Sequence, residues 1–309
     1  MPITWTAEAL LKRNLWIITG KGGVGKTSVT AALGLMAAKA GRKVLLVETH
    51  GLCHLGDLFE VGRANYTVNS IEKNLNLIQL NSEAAFEEYV LRQIKWKLVY
   101  DRLFNNKYVK HFIEATPGLA ELLTIGKIWS LVEEKKKRNH SFDLVILDAP
   151  STGHAMALLT IAQTVVNAVR IGPLHSQSNH ILDLLRDSQR TLAWLVTLPE
   201  EMPVNEAIEM KQRLTTQAQI TLGPVLVNSM WPSLLSTKTQ AELEKSNFTN
   251  ETLKRNRERL DQCEFYFNKL RSELNGEEIL KLPLVHKNQK PRLIAEALMK
   301  SIEEQLKAS

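Results

Sequence analysis

The stretch "LWIITGKGGVGKTSVTAALGLMAAKAGRKVLLVE", residues 15–48, constrains this chain more than any other. It opens on a short apolar, β-rich run ending in glycine, which reads as a buried strand over 15–20. Four glycines and two lysines then fall within the eight positions from Gly20 to Thr27. An alanine-rich segment with helical spacing follows and stops at Gly41, and "KVLLVE" (43–48) reads as a second strand. Strand, glycine loop, helix, strand is a βαβ unit, and such units build parallel sheets through right-handed crossovers. The loop fits G-x-x-x-x-G-K-[ST], a spacing that arises by accident in about one chain in a hundred of this length. Small residues let successive backbone N–H groups face phosphate oxygens, and the following helix points its positive end at them. Nucleotide phosphates are therefore expected at Gly20, Gly22, Gly23, Val24, Gly25, Lys26, Thr27 and Ser28. Lys26 neutralises the outer phosphates in this arrangement, and Thr27 offers a hydroxyl ligand to Mg²⁺. Lys21 is not required by that chemistry.

Further strands are expected at 75–80, 143–148, 192–198 and 224–228, nearly continuous apolar runs that suit a sheet covered on both faces. Asp148 closes one of them, and a carboxylate at the carboxyl end of a buried strand beside a phosphate loop is suited to hold Mg²⁺ through water. Asn228 closes another, and its amide can pair with both a donor and an acceptor on adenine. Between 82 and 140 the pattern is mostly helical, and it is read as a helical insertion. Its Phe86, Tyr89, Val90, Ile94, Leu98, Phe104, Tyr108, Val109, Phe112 and Ile113 either pack on the sheet or form a groove for an apolar helix. Residues 234–280 read as a peripheral helical layer. Neither segment is bounded by a Pro/Gly/Ser linker, so residues 1–309 are expected to form a single α/β domain with a mainly parallel sheet flanked by helices.

Composition excludes several classes. Hydrophobic residues make up 44% and charged ones 23%, and no stretch of 18 apolar residues occurs, so no integral membrane segment is expected. The first residues lack the pattern of a secretory signal, which makes the cytoplasm the expected compartment. The net charge of +6 is modest, and its basic residues are scattered apart from "EEKKKR" at 133–138, a solvated helix end; a nucleic-acid partner is not expected. Two cysteines, Cys53 and Cys263, give neither a disulfide framework nor a C-x-x-C metal site. The C-terminal run "RLIAEALMKSIEEQL" is amphipathic and reads as a helix packed on the domain rather than as a membrane tail.

"KGGVGKT" resembles the deviant Walker A motif of the dimeric P-loop ATPases, a group that includes MinD, nitrogenase iron protein, and the arsenite-pump and tail-anchored-protein-targeting ATPases. The resemblance implies a P-loop NTPase fold and a dimer in which Lys21 reaches the partner's nucleotide. A cation supplied in this way favours phosphoryl transfer by roughly 10³ to 10⁵. "VILDAPSTGHAMALL" (145–159) is similar to the D-T-A-P-T-G-H switch II of the ArsA-type ATPases, with Asp148 in the metal-associated place. "ETHGLCHLGDLFE" (48–60) lies where that family has a switch I resembling D-P-A-H-N-L-S-D-A-F. The match "LGDLF" puts Asp57 in the place of the catalytic aspartate that orients the attacking water. The same count puts His50 where the family has its first, metal-associated aspartate. Either Glu48 supplies the missing carboxylate from the strand end, or Mg²⁺ has one fewer outer contact and hydrolysis is slow. His50, Cys53 and His54 are also imaginable as soft metal ligands. "VTLPEEMPVNEAIEM" (196–210), with Pro199, Glu200 and Glu206, resembles a loop expected near the dimer interface. Asn228 takes the family's base-reading place, which favours ATP, and "LPLVHKNQKP" (282–291) sits where a loop near the base is found.

The resemblance is to one complete ATPase unit and implies a Mg²⁺-dependent ATP hydrolase acting as a nucleotide-gated dimer on an unidentified protein client. The partner is a second copy or a related subunit. The alternative is a slow or non-hydrolysing regulatory subunit, to which His50 points. The paired cysteines of zinc-bridged targeting members and of iron–sulphur reductases, and the three cysteines of the metalloid pump, have no counterpart here.

Overall fold

The computed structural model describes residues 5–49, 53–62, 66–93, 116–133, 142–233, 251–274, 276–285 and 289–308. Among these residues the strands are β1 (Leu15–Thr19), β2 (Val44–Glu48), β3 (Asn69–Glu72), β4 (Leu75–Gln79), β5 (Leu144–Asp148), β6 (Thr191–Thr197), β7 (Leu222–Met230) and β8 (Ile279–Pro283). They form one sheet in the order β3-β4-β2-β5-β1-β6-β7-β8, parallel throughout except for the β3–β4 edge pair. The helices among the described residues are α1 (Ala7–Leu11), α2 (Lys26–Lys39), α3 (His54–Leu58), α4 (Ser82–Gln93), α5 (Leu119–Glu133), α6 (Thr152–Ala168), α7 (Pro173–Arg186), α8 (Glu201–Arg213), α9 (Glu251–Leu274) and α10 (Pro291–Ala308). A π-helical turn, Leu214–Ala218, extends α8.

Alternation along the strands sorts the core into two layers. Trp16, Ile18, Leu46, Ile146 and Trp194 face α2 and α10, and the Trp16 and Trp194 rings lie 5.1 Å apart at 57°. Leu15, Ile17, Leu45, Val47, Val145 and Leu147 face the opposite layer, which α5 to α9 build. Burial on both faces explains why β1, β2 and β5 are apolar almost from end to end. The alanines of α2 serve the same end: it is enclosed between the sheet and α10, and every residue from Val29 to Ala38 is buried. The C-terminal helix therefore uses its apolar stripe for packing, with Ala295, Leu298, Ile302 and Leu306 in the α2-side core. Among the described residues no helix is long and apolar enough to cross a membrane.

Two strands depart from the sequence expectations. β3 is a short polar edge strand that pairs with β4 across a bulge, and "NSIE" has no apolar run to announce it. β8 occupies 279–283, so the helical layer expected over 234–280 ends at Leu274, and the first part of "LPLVHKNQKP" is strand. An edge strand buried only at Leu280 and Leu282 takes its conformation from its neighbour β7. Residues 234–250 lie outside the described residues, as do Ile94, Leu98, Phe104, Tyr108, Val109, Phe112 and Ile113 of the insertion. The described part of the insertion is helical, and Phe86 and Tyr89 of α4 line an apolar cleft of about 160 Å³ with α5 and α7.

α2 crosses the sheet closely at Gly34, where a Cβ would lie 2.7 Å from Leu46 Cδ2 and 3.3 Å from Leu75 Cδ1. Gly34→Leu is expected to cost about 1–3 kcal/mol in urea unfolding, the usual effect of overpacking a close-packed contact. Adding Leu46→Ala to the same chain should recover part of that loss, because the two side chains compete for one space.

Candidate nucleotide and metal site

The loop leaves the carboxyl end of β1, in the middle of the sheet, and runs into α2; ligands of open parallel sheets bind at this edge. Val24 is buried beneath the loop and roots it in the core. Gly20 has φ +150°, and a Cβ there would meet the Val196 carbonyl oxygen at 2.1 Å, so the chain turns off β1 this tightly only without a side chain. At Gly25, with φ +90°, a Cβ would meet Asn228 Nδ2 at 2.4 Å. Around Gly22 and Gly23 the space is open: a Cβ at either would touch nothing within 4 Å. A loop rooted from below and open above can receive an anion on its backbone N–H groups.

The two lysines have different destinations. Lys26 Nζ folds back over the loop and donates to the carbonyls of Gly20 at 3.1 Å and Lys21 at 3.0 Å. Burial draws its pKa below the ordinary lysine value, and the charge of Asp148 opposes that shift. Lys21 leaves the loop and pairs with Glu206 of α8, whose second oxygen accepts from Thr152 Oγ1 at 3.4 Å. One carboxylate thus joins the glycine loop to the segment that follows Asp148.

Asp148 is buried at the end of β5 and accepts from Thr27 Oγ1 at 2.7 Å and from Thr30 Oγ1 at 3.3 Å. Thr30 was not anticipated, although its spacing of three from Thr27 puts both hydroxyls on one face of α2. Glu48 ends β2 in register with Asp148, two residues beyond Leu46 as Asp148 is two beyond Ile146, so both carboxylates leave the sheet on the α2 side. The backbone N–H of His54, at the start of α3, donates to Glu48 Oε1 at 2.8 Å. Burial pushes the Glu48 pKa up to about 7; the His54 hydrogen bond opposes the rise and Asp148 adds to it, while the Leu55 N–H and the Cys53 side chain lower it.

A hydroxyl and buried carboxylates at the mouth of an open phosphate loop are the oxygen donors that Mg²⁺ accepts, so the residues present fit that ion beside a nucleotide. Asp57 sits exposed on α3, whose start is tied to Glu48. His50 lies outside the described residues. Among the described residues no three His, Cys, Asp or Glu side chains gather as a metal site, and Cys53 is buried while His54 is exposed. Asn228 also braces the loop: its Nδ2 donates one N–H to the Val24 carbonyl at 2.9 Å, while the amide keeps its second N–H and Oδ1.

The family model described as anion-transporting ATPase matches residues 13–177 of the chain. The chain is 34% identical over 234 residues to ATPase BagA of Mycobacterium tuberculosis, covering 74% of this chain and 68% of that protein. It is 28% identical over 222 residues to the arsenical pump-driving ATPase of Escherichia coli, covering 71% of this chain and 35% of the other. ATPase get3 of Schizosaccharomyces japonicus is 28% identical over 194 residues, or 59% and 57% of the two chains.

Because the Glu48 pKa is higher in the folded chain, about 7, than its ordinary 4.5, the folded chain holds a proton that the unfolded chain has lost between those values. Stability then falls as pH rises through this window. In metal-free solution Glu48→Gln should be more stable than the parent by about 3 kcal/mol at pH 8, and the gain should vanish near pH 4.5. Urea unfolding of both proteins across that range measures it.

Proposed function

The chain belongs to the anion-transporting ATPase family and is an ATPase, and from that premise we propose that it works as a nucleotide-gated dimer whose change of shape serves a protein client. ATP places its phosphates on Gly20 to Ser28, with Lys26 swinging from the loop carbonyls to the outer phosphates. Thr27 and, through water, Asp148 would hold Mg²⁺, which would supply charge neutralisation for the transferred phosphoryl group. Asp57 aligns the attacking water and accepts its proton. Asn228 contributes a base contact through its second N–H and Oδ1 and keeps the loop in shape through Val24.

The observation that carries the dimer is the direction of Lys21. It pairs with Glu206, off the loop, instead of covering the phosphate cradle as Lys26 does. Its service to catalysis is then to a neighbouring subunit's nucleotide, where an ammonium stabilises charge in the transition state. Thr152 shares Glu206, so release of phosphate from the segment after Asp148 is felt at Lys21. The helical insertion, with its apolar cleft, is the surface offered to a client. The pump-driving role in the bacterial relative's name is not carried over, because this chain has two cysteines and Cys53 is buried. One sequence observation favours a slow-turnover subunit of an unequal pair: His50 stands where the family has an aspartate.

Steady-state turnover and solution mass with ATP and Mg²⁺ separate these readings. Asp57→Asn should lower turnover by about 10² to 10⁴. Lys21→Ala should lose ATP-dependent dimers and about 10³ in rate. A parent without turnover, or one indifferent to Asp57→Asn, supports the slow subunit; Lys21→Ala that associates and turns over like the parent rules out donation across the interface.

A further inference from the structure

Glu48 has no exposed surface, and its Oε2 has no hydrogen-bond partner. A buried carboxylate oxygen without a partner is costly, and native folds rarely retain one without a use. Its surroundings deepen the cost. Asp148, in register on the neighbouring strand, repels a charge on Glu48, and the Thr27 and Thr30 hydroxyls are both spent on Asp148. The backbone N–H of His54 bonds Oε1, and although the Leu55 N–H and the Cys53 side chain also favour the charged carboxylate, Oε2 is left without a hydrogen bond.

Two carboxylates that leave one face of the sheet side by side, beside a phosphate loop, make a place for a hydrated divalent cation. Mg²⁺ is usually bound through one or two carboxylates together with substrate phosphates, and it keeps several of its waters. We propose that Glu48 is a second carboxylate of the Mg²⁺ site, accepting through Oε2 a hydrogen bond from a metal-bound water. Through Oε1 and the His54 N–H it also ties the ion to α3, the helix that carries Asp57. Glu48 is thus a positioning residue. Asp148 alone offers the ion one negative charge, and Glu48 offers a second from a strand end whose place the sheet register sets. The inference rests on the ATPase reading of the loop and extends it to a residue outside the glycine motif.

The test is Mn²⁺ titration of the full chain with ADP, following free Mn²⁺ by electron paramagnetic resonance, beside ADP binding measured in EDTA. Glu48→Gln keeps an acceptor for the His54 N–H and removes the charge. It should weaken Mn²⁺ binding about 10- to 100-fold, the usual effect of losing an outer-shell partner, and leave metal-free ADP binding unchanged. Glu48→Asp, with the charge restored on a shorter arm, should fall between the two. Amide hydrogen exchange at residues 54–59 should slow on adding Mn²⁺ and ADP to the parent and not to Glu48→Gln. The proposal is overturned if Glu48→Gln binds Mn²⁺ like the parent, or if it loses ADP affinity equally with and without metal, since Glu48 would then only support the fold. Asp148→Asn distinguishes the levels: if it weakens Mn²⁺ binding and Glu48→Gln does not, Glu48 alone is misassigned. If the parent binds no ADP, the nucleotide reading of the loop falls as well.

Discussion

The site depends on how tightly the chain turns off β1. At Gly20 the backbone passes under the Val196 carbonyl, and five residues later Gly25 passes beside the Asn228 amide, so strands β6 and β7 clamp the loop from the side. Val24 holds it from below in the α2-side core, and its carbonyl receives the Asn228 hydrogen bond. A loop so held cannot close over the open space at Gly22 and Gly23. Its backbone donors are arranged before any ligand arrives, which reduces the ordering that binding must otherwise supply.

Charge is distributed around that loop with little compensation to spare. Lys26 rests on carbonyls of its own loop, a weaker partner than a phosphate, and burial already disfavours its charged form. Asp148 accepts from two hydroxyls, and Glu48 accepts from backbone through Oε1 while its Oε2 has no hydrogen-bond partner. The site holds negative charge at the strand ends and a displaced ammonium above them, an arrangement that a magnesium-bound polyphosphate would neutralise from both sides. Lys21 differs because it already has a carboxylate partner, and that partner also touches the segment after Asp148. Any movement of that lysine is therefore linked to the segment that follows Asp148.

Much of this was legible in the sequence because local pattern and tertiary role coincide. Strands β1, β2 and β5 are apolar throughout since both faces are covered, and the glycines at 20 and 25 stand where neighbouring strands approach the loop. β3 and β8 escaped notice because edge strands bury little, so "NSIE" and "ILKLP" lack a continuous apolar run and are strands by virtue of their neighbours. Thr30 lay hidden among helix-forming residues, and the bracing bond of Asn228 to Val24 was not legible because it joins residues 204 positions apart.

Sequence alone determined the βαβ unit, the phosphate loop and the residue types able to hold an oxygen-bound metal, since these follow from glycine's freedom, strand and helix periodicity and the chemistry of a hydroxyl or carboxylate. Tertiary structure decided which of those groups meet. Pairing of β2 with β5 placed Glu48 beside Asp148, and packing of α8 placed Glu206 within reach of Lys21. Neither contact is written in local pattern, because each depends on the register and packing of segments far apart in the chain, where burial and electrostatics are set by the whole fold.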